Sequence, residues 1–128
     1  MKDIELTQTG GPYGDETCSY SVKTKAKTVG EFITMLIKGK LYADKYVDVM
    51  IKNKRNIAVA YLTKGGGIER ESNNYFEYTK IKIKSVSANG GWGSIKYYIE
   101  PEEGQDIPEQ GRYDFSMVYW GYDIYKED

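Results

Sequence analysis

Apolar side chains recur at every second position in most of this 128-residue chain, and at the helical spacing in one stretch. A period of two means that alternate side chains point to opposite faces of a strand. The pattern appears in DIELT (3–7), TCSYSVKTKA (17–26), YVDVMIK (46–52), IAVAYLT (57–63), YFEYTKIKIKSV (75–86), SIKYYIE (94–100) and RYDFSMVYWGYDIY (112–125). So many strands must pair with one another to satisfy their backbone groups. The chain is therefore expected to be a mostly antiparallel sheet, with residues 1–128 forming a single domain.

The helical stretch is TVGEFITMLIKGK (28–40). Thr28 followed by Glu31 forms a capping box, and Phe32, Met35 and Leu36 line one face. Gly39 between Lys38 and Lys40 gives a stop signal. One main helix following a hairpin would cover one face of the sheet. The fold class is thus α+β. Residues 64–74 and 100–111 are expected as polar loops. The hairpin joining 79–87 to 94–100 should turn at Asn89-Gly90, a pair that tolerates positive φ.

Composition removes several kinds of chemistry. Without histidine there is no imidazole general base, no histidine triad and no common zinc ligand. The one cysteine, Cys18, shares parity with Tyr20 and Val22. It is expected as an inward, inert thiol in a protein of a reducing compartment. Glu100, Glu102, Glu103, Asp106 and Glu109 crowd one loop, but their spacing matches no calcium loop. The glycine runs lack the Lys-Ser/Thr ending of a phosphate loop. The expectation is a non-enzymatic protein with no metal, no cofactor and no catalytic residues. No apolar run is long enough to span a membrane, and the N-terminus lacks the apolar core of a signal peptide. A cytoplasmic protein without a membrane partner is expected.

What remains points to binding. Residues 23–84 hold 14 lysines and arginines against six acids, and residues 85–128 hold three against nine. Lys80, Lys82 and Lys84 fall on one face of an expected strand. That row is either a solvated edge or an anion-binding surface. The chain has 13 tyrosines, and aromatic groups fall on both faces of the last expected strand. Trp120 and Tyr122 there, and Trp92 with neighbouring Tyr97 and Tyr98, are the candidate contacts to a protein partner. Trp92, flanked by Gly91 and Gly93, could also fold back onto the core. The runner-up is a nucleotide or nucleic-acid binder that stacks bases on aromatic rings and meets phosphate with the lysine row.

Two resemblances bear on this. The hairpin followed by the KTVGEFI helix start resembles the beginning of the β-grasp fold of ubiquitin-like proteins, over about residues 1–65. It implies a β-grasp-like N-terminal half with additional C-terminal strands. Cys18, Tyr20 and Val22, then Thr28 to Ile33, then Gly90, Gly91 and Trp92, resemble small proteins of gut bacteria and their phages and mobile elements. That resemblance implies a mobile-element origin and an inhibitor of a host defence system.

Overall fold

A computed structural model describes residues 3–14, 16–39, 44–65, 67–112 and 114–115. Over the described residues the chain is α+β: a mixed seven-stranded sheet with two helices. In chain order the elements are β1 (Ile4–Gly10), β2 (Cys18–Thr24), α1 (Val29–Gly39), β3 (Tyr46–Ile51), β4 (Ile57–Leu62), β5 (Ile68–Glu71), α2 (Tyr75–Thr79), β6 (Ile83–Gly91) and β7 (Ser94–Pro101). The strands lie side by side as β1-β2-β6-β7-β3-β4-β5. Every pairing is antiparallel except β3 with β7, which is parallel. β1 and β2 form the expected hairpin and lead into α1. The other neighbour of β2 is β6, so the first half closes no sheet by itself.

Cross-strand register explains the core. Val22, Val86, Ile99, Ile51 and Ile57 form one continuous row, and Tyr20, Ala88, Tyr97, Val49 and Ala60 form the next. Both rows face α1, whose Val29, Phe32, Ile33 and Leu36 are buried. The Phe32 ring meets the Tyr97 ring edge to face, with centroids 5.2 Å apart. Each core aromatic or aliphatic residue of this size contributes about 1.5–3 kcal/mol by leaving water. The capping box forms with a shift. Glu31 N donates to Thr28 Oγ1 at 3.2 Å, but the Glu31 carboxylate accepts from Lys27 N at 2.7 Å, one residue before the cap.

Three expected elements are corrected. Within 64–74 lies β5, a four-residue edge strand with all its side chains exposed, so no buried face announces it in sequence. Residues 75–79, expected as strand, are α2, with Tyr78 buried at its core side. Four of its five residues are aromatic or β-branched and favour a strand intrinsically, and the helix is too short to display its period. It is held by tertiary bonds. Ser72 Oγ donates to Asp114 Oδ2 at 2.6 Å, Asn73 N donates to the same carboxylate, and the Tyr78 hydroxyl donates to the Pro108 carbonyl at 2.7 Å. The third correction is at 112–125. Arg112, Asp114 and Phe115 lie in turns, and the remainder of that expected strand falls outside the described residues.

The acidic loop does structural work through its glutamines. Gln110 accepts from Ala58 N at 2.9 Å and donates to Ala58 O at 2.6 Å, standing in for a neighbouring strand where β5 has ended. Gln105 does the same for Lys82, at 2.6 and 3.0 Å. On the sheet face away from α1, Met50 and Ala58 are buried, and so is Asp48, beside its register partners Lys96 and Tyr61. Burial lowers the Lys96 pKa, and the Asp48 charge partly offsets this. No helix among the described residues is long and apolar enough to cross a membrane.

Two outcomes follow from these contacts. Asp114→Ala leaves Ser72 and Asn73 without their acceptor and should lower stability by about 1–3 kcal/mol, read from urea unfolding. The second concerns Tyr97, 2% exposed, whose phenol burial pushes up to about 12. Below pH 10 the folded and unfolded states both keep that proton, and the contribution is fully present. Between pH 10 and about 12 only the unfolded state ionises, so stability should fall by about 1.4 kcal/mol per pH unit. Tyr20, Tyr75 and Tyr78 are raised too, so Tyr97→Phe should make this alkaline slope shallower without abolishing it.

Candidate binding site

The β6–β7 hairpin turns at Trp92-Gly93, because Gly91 pairs with Ser94. Asn89 and Gly90, expected as the turn, are strand residues that pair with β2 on one side and β7 on the other. Gly93 supplies the positive φ, at 65°. The glycines on either side have a packing reason. A Cβ on Gly90 would lie 3.2 Å from Ile95 Cγ1, and one on Gly91 would meet Thr17 Oγ1 at 3.5 Å. Backbone can therefore approach closely here and carry the turn outward. The turn is also tied to β3, since Tyr46 N donates to Gly93 O at 2.8 Å.

Trp92 consequently projects from the tip and is 80% exposed, the most exposed of the large hydrophobic side chains among the described residues. It does not fold back onto the core. Behind it, on the α1 side of the sheet, lies a groove of about 480 Å³. Leu6, Cys18, Tyr20 and Ile95 give it an apolar lining, and Glu16 and Lys45 supply one charge of each sign. Cys18 has the expected parity with Tyr20 and Val22. It sits half-buried in the groove wall, not deep in the core. Burial raises the Tyr20 pKa, and Cys18 adds to the rise. Leu6 is 38% exposed on its strand.

The neighbourhood of the turn holds further aromatic and cationic groups. Tyr46 and Tyr61 stack with planes 3° apart and centroids at 5.9 Å. Lys64 Nζ stands 5.4 Å from the Tyr46 ring centre, and a Cβ on Gly93 would come within 4.0 Å of it.

The other expected contacts are scattered. Tyr97 is a core residue against Phe32 and offers no surface to a partner. Tyr98, half-buried, belongs to the opposite sheet face, in register with Ser87 and Met50. Trp120 and Tyr122 lie outside the described residues. Lys80 ends α2 and lies off the strand that carries Lys84, so the expected row of three is broken at its first member. Lys80 caps the C-terminal end of α2, Lys82 is held by Gln105 through its backbone, and Lys84 Nζ lies 3.6 Å from Glu100 Oε2. The basic and acidic blocks of the sequence meet at that contact. Lys84 and Glu100 are also at the open end of the hairpin, roughly 25 Å along the strands from Trp92.

Leu6, Tyr20, Lys45, Tyr46 and Lys64 were not singled out by pattern. The shared parity of Cys18 and Tyr20 was the available signal for one wall of the groove. The others come from β1, β3 and a loop, and only the sheet order brings them to one end. Comparisons of the chain with protein-family models, with curated proteins and with solved structures returned no match.

Proposed function

We propose that the chain is a non-enzymatic, protein-binding module whose partner docks on the β6–β7 turn, with Trp92 as the anchor. The observation that carries this is a tryptophan 80% exposed on a turn whose backbone is fixed by Gly93 and by the Tyr46 N to Gly93 O bond. An exposed aromatic on a rigid platform loses little conformational entropy when it is buried by a partner, and tryptophan is enriched among the residues that dominate binding energy. The adjoining groove has room for one or two partner side chains, with an apolar floor and one charge of each sign at its edge. With the resemblance to phage and mobile-element proteins, this reading makes the chain an inhibitor that acts in the host cytoplasm by occupying a defence protein.

A second reading has a specific observation in its favour. Trp92, the stacked Tyr46 and Tyr61, and Lys45 and Lys64 occur at the same end of the sheet. Rings and cations together suit a nucleotide or single-stranded nucleic acid. The expected lysines 80, 82 and 84 would take no part in it, being at the other end of the hairpin. Salt separates the two readings, because phosphate contacts weaken steeply as salt rises.

The test is Trp92→Ala. The substitution should leave the melting temperature nearly unchanged, as surface changes do, within about 0.5 kcal/mol of stability. A partner recovered from the native host should bind the variant at least about 10-fold more weakly, as removal of an interface anchor requires. In a Trp120→Phe background the emission of Trp92 should begin at a water-exposed wavelength and shift to the blue on complex formation. Unchanged partner affinity in Trp92→Ala would refute the anchor.

A further inference from the structure

The groove behind Trp92 has an unlike charge at each end, and strand register fixes how far apart they stand. Gly90 pairs with Cys18 on β2 and with Ile95 on β7, and Ile95 pairs with Val47 on β3. Glu16 precedes Cys18 by two residues, and Lys45 precedes Val47 by two. β2 and β3 run in the same direction, since two antiparallel pairings and one parallel pairing relate them. Glu16 and Lys45 therefore stand at one level, on either side of the Trp92-Gly93 turn. Three strand spacings separate them, about 14 Å. That exceeds an ion-pair contact and the screening length of about 8 Å at physiological salt. Among the described residues neither side chain has an ion-pair or hydrogen-bond partner.

Glu16 is held at the groove against its backbone preference. Its φ is 60°, in the left-handed region that disfavours a residue with a Cβ. Its N–H donates to Tyr13 O at 2.7 Å, which fixes the turn. Glycine would take this conformation without strain, yet the position carries an exposed carboxylate. Between the two charges the groove is apolar and open. Gly90 gives a floor without a side chain, Ile95 lies beside it, and Cys18, Tyr20 and Leu6 form the wall. Cys18, Tyr20 and Gly90 are half-buried and Leu6 is 38% exposed, so a partner can reach this surface.

We infer, on the reading that Trp92 marks the docking site, that the groove binds an extended segment of the partner with a basic, an apolar and an acidic residue at alternate positions. An extended chain advances about 3.3 Å per residue, so positions i and i+4 lie about 13 Å apart, and i, i+2 and i+4 share one face. That span matches the separation of Glu16 and Lys45. The base meets Glu16, the acid meets Lys45, and the apolar side chain between them enters over Gly90, beside Trp92. A helix does not fit, being about 10 Å wide against a groove of about 480 Å³. A phosphate chain is disfavoured, because Glu16 would repel it at one end. Burial of the apolar side chain supplies most of the affinity, and the two exposed ion pairs select among segments.

The probe is a peptide with blocked ends, Ser-Lys-Thr-Leu-Thr-Glu-Ser, and binding is read from the amide NMR shifts of Gly90 and Gly91. It should bind with a dissociation constant of about 1 mM. Serine in place of its leucine should remove binding. Exchanging its lysine for glutamate, or its glutamate for lysine, should weaken binding about 5-fold, the size that exposed ion pairs allow. Glu16→Lys should reverse the order, so that the peptide with two glutamates binds best. Glu16→Gly should raise the melting temperature by relieving the left-handed strain, and should make the lysine-to-glutamate exchange neutral. No binding of the first peptide at about 5 mM, an order of peptides unchanged in Glu16→Lys, or displacement by a short oligothymidylate at equal concentration would overturn the inference. In each of those cases a native partner lost in Trp92→Ala leaves the anchor standing. The predicted peptide order persisting at full affinity in Trp92→Ala would support the segment's chemistry and refute the anchor.

Discussion

The parallel pairing of β3 with β7 holds the molecule together. It joins two antiparallel groups, β1-β2-β6-β7 and β3-β4-β5, which among the described residues pair nowhere else. Val47, Val49 and Ile51 on β3 lie in register with Ile95, Tyr97 and Ile99 on β7, and all six are buried. A parallel pair cannot be closed by a tight turn, so the chain between these strands must supply β4, β5, α2 and β6 before it returns. The same pairing sets Tyr97 beneath Phe32 and so seats α1. A substitution that weakened this seam would loosen the sheet, the helix and the hairpin turn together.

The turn that carries Trp92 is a consequence of that seam. β2 on one side and β3 on the other extend the ladder of β6 and β7 to Gly91 and Ser94. An Asn-Gly pair that could turn by itself is thereby kept in a strand, and the reversal is moved to Trp92-Gly93. The tryptophan stays 80% exposed beside the groove of Leu6, Cys18, Tyr20 and Ile95, on a backbone of glycines packed against Thr17 and Ile95. An indole so exposed adds almost nothing to the stability of the isolated chain, which is the physical argument for a partner. The flanking charges are few and mixed, so specificity would rest on shape and apolar contact more than on field.

Much of the charged and polar sequence serves the fold. Lys84 meets Glu100 across the hairpin, which joins the basic middle of the chain to its acidic end. Gln105 and Gln110 complete backbone bonds that no strand completes, and Asp114 ties the start of α2 to the loop that follows β7. Residues that composition marks as a solvated acidic loop are therefore part of the architecture, and their contribution lies in orientation, not in net charge.

The sequence by itself determined the elements whose burial is periodic. β1, β2, β3, β4 and β7 follow from alternation, and α1 follows from Thr28, Glu31 and the Phe32–Met35–Leu36 face. Local chemistry suffices there, because each element shows an apolar face to the α1 core, β3 and β4 being buried on their other face as well. Tertiary structure alone decided α2, β5, the position of the hairpin turn and the parallel seam. Tyr75–Thr79 is too short to reveal a period, β5 has no buried face, and register is fixed by neighbours distant in sequence. The candidate site divides in the same way. Trp92 was visible as an indole set among glycines. Tyr97 could not be separated from it, because parity places a side chain on a face but does not say which face a helix covers. Leu6, Tyr20 and Lys45 became its neighbours only when the strand order put β1, β2 and the approach to β3 at one end of the sheet.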